Sequence, residues 1–184
     1  MKIIVLDRDG VINQDSIDYI KSAEEFIPIK GSINAIVRLS EAGFKVVVAT
    51  NQSGLSRKYF DDDQLSEIHH LLCSMVEQAG GFIDGIFYCP HHPDEGCSCR
   101  KPKTGLLEQI ENELSCKLYG SYFVGDSLKD IQTALAFGCK PILVRTGKGS
   151  ITEQSISNTY DSFIPIHDDL ANAVSSILGL RDDR

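Results

Sequence analysis

The sequence predicts an α/β fold: a doubly wound, Rossmann-like, mostly parallel sheet with helices on both faces and no separate cap domain. Three observations predict it. Short, wholly apolar runs of strand length alternate with amphipathic runs of helix length. A strand that is apolar at every position suits burial on both faces, as in a parallel sheet covered by helices. Finally, three of these runs end in polar clusters, at Asp7/Asp9, Thr50/Asn51 and Asp126. In such sheets ligands sit outside the carboxyl ends of the strands.

The elements follow in order. Ile3 to Leu6 is the first strand and runs into Asp7-Arg8-Asp9-Gly10. Ser32 to Ala42 predicts a helix, with Ile33, Ile36, Val37 and Leu39 on one stripe and Gly43 as its stop. Lys45 to Ala49, with three consecutive valines, is a second buried strand and leads into Thr50-Asn51-Gln52-Ser53-Gly54. Asp61-Asp62-Asp63 opens the next helix, where acids complement the helix dipole. Capping and solvation explain that triplet better than metal binding. Leu65, Ile68, Leu72 and Val76 carry its apolar face to Gly80-Gly81. Ile83 to Tyr88 is a third strand, Thr104 to Cys116 a helix, and Ser121 to Val124 a fourth strand ending in Gly125-Asp126. Leu128 to Phe137 is a helix, Pro141 to Val144 a fifth strand, and Ala171 to Leu178 a last helix. The polar, weakly patterned stretch from Ser150 to Ser162 predicts a surface loop.

The 184 residues suit a single domain spanning 1–184. Hydrophobic content of 42% and charged content of 24% are those of a soluble globular protein rather than a disordered one. Acidic side chains outnumber basic ones 26 to 18, a net charge of −8, which argues against a general nucleic-acid binder. The run Met1 to Leu6 is too short for a signal-peptide core, and no apolar run approaches the ~20 residues of a membrane span. A cytoplasmic protein with reduced thiols is expected, so clustered cysteines read as metal ligands or catalytic groups. Cys73, Cys116 and Cys139 stand apart and read as small core residues. Only about 22 residues separate Asp9 from the first helix, and Gly54 to Cys99 is filled by one helix, one strand and a Cys/His loop. That leaves no room for an independent cap and predicts an open site.

Asp7 and Asp9, two apart at a strand end, attract a hard divalent cation, share a proton or cap a turn. A lone D-x-D is a weak signal. D-x-D-G-V after an apolar strand, followed in order by T-N-Q-S-G and G-D-S-x-x-D, is specific. Cys89-Pro90-His91 and Cys97-Ser98-Cys99 form C-x-H-x5-C-x-C. Three thiolates and an imidazole make a closed, tetrahedral, structural Zn²⁺ site in loop 89–99, with His92 the alternative to His91. Arg100, Lys101 and Lys103, directly after that loop, are the densest basic cluster in an acidic chain.

The motifs DRDGVIN (7–13), TNQSG (50–54), RKPKTG (100–105) and VGDSLKD (124–130) cover nearly the whole chain and resemble the haloacid dehalogenase-type phosphatases. Within them the chain most resembles the D-glycero-D-manno-heptose 1,7-bisphosphate 7-phosphatases. The histidinol-phosphate phosphatases, which share DRDG and a similar cysteine loop, are near neighbours. The resemblance implies Mg²⁺-dependent hydrolysis of a phosphorylated sugar through an aspartyl-phosphate, in heptose and lipopolysaccharide-core synthesis. It makes Asp7 the nucleophile. It makes Asp9 the group that protonates the leaving alkoxide and then deprotonates water. Mg²⁺ would bind the Asp7 carboxylate, the Asp9 backbone carbonyl and Asp126. Thr50 would hydrogen-bond the phosphoryl group, and Lys101, or alternatively Lys103, would stabilise its charge.

The same resemblance gives Arg100 a second phosphate to hold, and places Asn51, Gln52, Ser53, Asp15, Ser16 and Asp18 at the substrate. Most of these read equally as turn residues. Family spacing favours His91 over His92 as the zinc ligand, beside Cys89, Cys97 and Cys99. Ser127 stands where the heptose enzymes carry a substrate-contacting lysine, and Lys129 is expected to point elsewhere. Asp130 is expected to lie behind the ligands or on a helix face, and Gly125 to let a ligand approach the backbone. The partner implied is a small phosphorylated sugar, with no nucleic acid or membrane, and the chain is expected to be a monomer. A non-catalytic phosphate-binding module would lack one of the two carboxylates. A phosphomutase would need a lid to exclude water.

Overall fold

In the computed structural model, which describes residues 2–156 and 164–179, β1 (Lys2–Leu6) lies inside a six-stranded, all-parallel sheet. β2 (Phe44–Asn51) and β3 (Gly85–Cys89) extend it on one side. β4 (Tyr122–Gly125), β5 (Lys140–Val144) and β6 (Ile166–His167) extend it on the other, giving the order β3-β2-β1-β4-β5-β6. The helices are α1 (Ser32–Glu41), α2 (Asp62–Gln78), α3 (Gly105–Glu113), α4 (Leu128–Phe137), α5 (Gly149–Ile156) and α6 (Leu170–Ile177).

Strand periodicity divides the core in two. Ile4, Leu6, Val46 and Val48 face one layer, with Ile36 of α1, Ile68 and Leu72 of α2 and Val174 of α6. Ile3, Val5, Val47 and Ala49 face the other, with Leu106 and Ile110 of α3 and Ala134 of α4. This two-sided burial is why β1 and β2 are apolar at nearly every position. Cys116 and Cys139 are buried in the second layer, and half-buried Cys73 packs against the first.

Local chemistry sets the ends of α2. Asp61 accepts from the Gln64 backbone N–H at 2.9 Å while the Gln64 side chain accepts from the Asp61 N–H at 3.0 Å. The acidic triplet therefore caps, as its sequence suggested. The predicted helix from Thr104 stops at Glu113 rather than Cys116, because Ser115 takes a left-handed φ of 46° and the Cys116 N–H turns back to the Glu111 carbonyl. The predicted loop from Ser150 is corrected as far as Ile156, which belongs to α5; residues 157–162 lie outside the described residues. β6 had no sequence signal, being only two residues pairing with β5 at the sheet edge.

One topological fact places the site. The chain leaves β1 for β2 on one side and later returns to its other side as β4. Connections diverge there, which opens a crevice at the carboxyl ends of β1 and β4. The Asp7 N–H donates to the Val124 carbonyl at 3.0 Å, so Asp7 and Asp126 emerge side by side. Among the described residues no helix is long and apolar enough to cross a membrane.

Candidate active site

Four charged side chains meet where β1 and β4 end. Lys101 Nζ lies 3.0 Å from Asp7 Oδ1 and 2.6 Å from Asp130 Oδ1, and donates to the Ala49 carbonyl at 2.8 Å. Lys101 is 2% exposed, so these are its surroundings in place of water. Burial opposes its charge, but Asp130 and then Asp7 outweigh it and raise its pKa. Lys103 turns the other way, donating to the Gly96 and Cys97 carbonyls at 3.0 and 2.6 Å. Of the two alternatives, the geometry brings Lys101 to Asp7.

Asp7, Asp126 and Asp130 hold carboxylate oxygens within 4.8 Å of one another. Burial first, then Asp130, pushes the Asp7 pKa well up, with Lys101 opposing. Burial and Asp130 likewise raise Asp126 to about 7. Carboxylates that repel one another around hard oxygen donors are the environment a divalent cation relieves. The set therefore fits Mg²⁺. Gly10 makes room for the Asp126 carboxylate, since it has a φ of +82° and a Cβ there would strike that group. Asp126 Oδ2 accepts the Lys148 backbone N–H at 2.7 Å. Asp130 is no exposed helix-face charge. It is fully buried, receiving Lys101 on one oxygen and the Ser127 N–H and hydroxyl on the other, at 3.0 and 2.6 Å. Gly125 serves that packing and not a ligand, since a Cβ on it would strike Asp130.

Asp9 sits in a cage of donors. Arg8 Nε and Nη2 reach Asp9 Oδ1 at 3.1 and 3.0 Å, and Nη2 also reaches Oδ2 at 3.0 Å. Asn13 Nδ2 donates to Oδ1 at 2.8 Å and Gln52 Nε2 to Oδ2 at 2.9 Å. Burial would raise the Asp9 pKa, but Arg8, then Asn13 and Gln52, outweigh it and lower it. Thr50 is buried at the end of β2, where its hydroxyl accepts from Gln52 Nε2 at 2.9 Å. Asn51 clamps the Lys101 backbone, accepting from its N–H at 3.1 Å and donating to its carbonyl at 3.2 Å.

These groups form the floor of a cleft of about 780 Å³ whose walls include Asp15, Ser16, Ser53 and Arg100. Ser53 lies 3.4 Å from the Tyr19 hydroxyl. Asp18 is exposed and does not line the cleft; its backbone groups bond Ser16 and Lys21. Lys129 corrects an expectation: it lines the cleft rather than pointing elsewhere. Desolvation, then Arg100 and Lys148, lowers its pKa. Sequence reasoning missed Lys148, whose ammonium pairs with Asp15 at 2.9 Å on the rim.

Beside the cleft, Cys89, His91, Cys97 and Cys99 hold ligand atoms within 4.8 Å of one another. Cys99 Sγ lies 3.2 Å from both Cys89 Sγ and His91 Nδ1. His92 instead caps the short 3-10 turn Pro93–Glu95. Although burial alone would raise it, the Arg100 backbone N–H and neighbouring thiols bring Cys97 down to about 7, toward the thiolate a metal needs. Four soft donors closing on one point fit Zn²⁺. Arg100 Nη1 donates to the His91 carbonyl at 3.3 Å, so the loop positions the arginine.

Comparison with known proteins agrees with this geometry. A HAD-hydrolase-like family model matches residues 98–173. The D-glycero-beta-D-manno-heptose-1,7-bisphosphate 7-phosphatase of Pseudomonas aeruginosa is 50% identical over 176 residues, covering 96% of this chain and 97% of that protein. The Neisseria meningitidis enzyme of the same name is 51% identical over 152 residues, covering 83% of this chain and 81% of that protein. The crystal structure of the D,D-heptose 1,7-bisphosphate phosphatase of B. bronchiseptica, complexed with magnesium and phosphate, superposes with a TM-score of 0.92 at 45% identity, covering 97% of this chain and 99% of that one. The chain is a hydrolase that belongs to the HAD-like superfamily and, within it, to the family of the D-glycero-beta-D-manno-heptose-1,7-bisphosphate 7-phosphatases.

Proposed function

We propose that this protein hydrolyses the 7-phosphate of D-glycero-D-manno-heptose 1,7-bisphosphate through an aspartyl-phosphate on Asp7. One observation carries the reading: a carboxylate at the end of a central strand opens on a cleft with a buried ammonium 3.0 Å away. A phosphate monoester is very stable, and a carboxylate nucleophile divides its hydrolysis into two easier steps. An Asp7 oxygen attacks phosphorus, the phosphorus–alkoxide bond breaks, and the alkoxide takes a proton from Asp9. Asp9 then accepts a proton from water, the water oxygen attacks phosphorus, and inorganic phosphate leaves a free Asp7. Arg8 keeps Asp9 ionised at rest, so the first proton arrives with the substrate; a phosphate monoester with a second pKa of ~6 carries one.

Lys101 and Thr50 stabilise the transferring phosphoryl group. Asp7, the Asp9 carbonyl and Asp126 would hold Mg²⁺, which supplies charge neutralisation between two anions. Arg100 would take the second phosphate, for which its planar fork is suited, with Lys129 on the same rim. Asp15, Ser16 and Ser53 are proposed sugar-side contacts, while Asn51 and Gln52 act from beneath by holding Lys101 and Asp9, and Asp18, which faces solvent, is not among them. Zn²⁺ at Cys89, His91, Cys97 and Cys99 is structural. Residues 1–184 work as one domain with an open site, as a monomer in the cytoplasm, supplying heptose for lipopolysaccharide-core synthesis. The neighbouring family suggests histidinol phosphate as the alternative substrate. Steady-state rates on the two compounds decide: a hundredfold higher kcat/KM for the heptose bisphosphate is expected, and the reverse preference overturns the assignment.

A further inference from the structure

We propose that His69 is a positioning residue for this hydrolysis, acting through Arg8 to aim the Asp9 carboxylate. This rests on the reading of Asp9 as the proton donor. Arg8 lies two residues beyond the end of β1 and is 0% exposed, so its guanidinium has no access to water. Two of its nitrogens are committed to Asp9. The third, Nη1, lies 3.2 Å from Nε2 of His69 on α2. Among the described residues no other side chain meets that nitrogen.

The chemistry of this contact has one solution. A guanidinium only donates, so His69 Nε2 accepts and the ring is neutral with its proton on Nδ1. Burial, and then the Arg8 charge, hold the His69 pKa down at about 3, which keeps the acceptor available through any working pH. The ring is itself fixed. Its neighbours Ile68 and Leu72 seat α2 on the sheet, and Tyr88 of β3 stands against it with ring centroids 5.7 Å apart. A helix and a strand thus clamp the imidazole, the imidazole holds the guanidinium, and the guanidinium holds the carboxylate. Removing the acceptor leaves a buried charged N–H unsatisfied, and the guanidinium turns to find a partner. Asn13 and Gln52 donate to the same two Asp9 oxygens, but they are donors and cannot supply the acceptor that the guanidinium would lose.

The test uses leaving-group dependence in the full chain. kcat/KM reports the first chemical step, where an alkoxide needs a proton and a nitrophenolate does not. His69→Leu is expected to lower kcat/KM about tenfold on a sugar phosphate and less than about twofold on p-nitrophenyl phosphate. His69→Gln, whose amide oxygen accepts, should recover most of the loss. Arg8→Lys, whose single nitrogen loses the direct hold on Asp9 as well as the contact with His69, should show the contrast at least as strongly, and His69→Met, which fills the space without a comparable acceptor, serves if His69→Leu does not fold. Equal losses on both substrates, or no rescue by His69→Gln, mean a packing role and overturn the proposal. Asp9→Asn separates the two layers. If it lacks the contrast, the reading of Asp9 fails. If Asp9→Asn shows it and the His69 and Arg8 variants do not, only the positioning role fails.

Discussion

The carboxylate centre and the cysteine loop are built on opposite principles. Asp7 and Asp126 project from adjacent strand ends joined by a backbone hydrogen bond; Lys101 answers the charge of Asp7, and the Lys148 backbone N–H meets Asp126. The sheet supplies that shape. Cys89 ends β3, but His91, Cys97 and Cys99 lie on a segment whose only regular turn is Pro93–Glu95. Only weak sulfur contacts of 3.2 to 3.7 Å join its thiols, and burial pushes the Cys89 thiol up to about 12. A site framed by strands keeps its geometry without an ion, whereas a site framed by a loop would take its cohesion from the Zn²⁺ proposed for it.

The sharpest way to break that contrast is at Asp7. Asp7→Asn should lower turnover at least ~10³-fold. Its Tm should hold or rise, because one member of a repelling buried set becomes neutral; calorimetry beside steady-state assays checks both. A collapse in Tm would mean that the carboxylates hold the fold. Cys97→Ser should do what Asp7→Asn does not. Isolated wild-type protein should carry about one Zn²⁺ per chain, and the variant should melt ~10 °C lower with reduced activity, several kcal/mol being at stake in a structural zinc site. Zinc-free wild-type protein, or an unmoved Tm, would place the loop among the self-supporting parts.

A smaller effect sharpens the carboxylate side. Asp126 is raised to about 7 from an ordinary 3.8. Between those values the native state binds a proton that the unfolded chain has released. The Asp126 contribution to the stability of the metal-free protein should therefore fall as pH rises through that window. Asp7, also raised, acts in the same direction. Adding Mg²⁺ should flatten the slope, because the cation takes the proton's place. Melting curves from pH 5 to 8 in chelator and in excess Mg²⁺ check this, and a stability that rises with pH in chelator would contradict it.

How far the sequence spoke depended on whether a residue's role is local. Ile3 to Leu6 reads as a strand because two-sided burial leaves no polar position, and α4 reads to the residue because Ser127 and Gly138 bound it. α5 was hidden because only Gly149, Thr152 and Ile156 of its eight residues face inward, too few for a periodic stripe. At the site, Asp7, Asp9, Asp126 and the four Cys/His residues stand out through short spacing. Lys101 could be told from Lys103 only by which way each side chain turns. His69 is 61 residues from Arg8 and looks in sequence like any polar residue on a helix. Lys129 faces the cleft because the first turn of α4 starts at the carboxyl end of β4, an orientation that depends on how the helix seats.

The clamp of Asn51 on Lys101 has a consequence for divergence. Lys101 is fastened to β2 twice, by its backbone through Asn51 and by its ammonium through the Ala49 carbonyl. Its neighbour Arg100 is fastened to the loop, through the His91 carbonyl. Adjacent residues thus belong to different bodies, one to the frame and one to an attachment. On the proposed roles, changes in residues 89–99 would move the arginine and retune which molecule is accepted, while the lysine proposed to serve the reacting phosphate stays where the sheet puts it. Selectivity in this design is free to drift at a position one peptide bond away from machinery that is not.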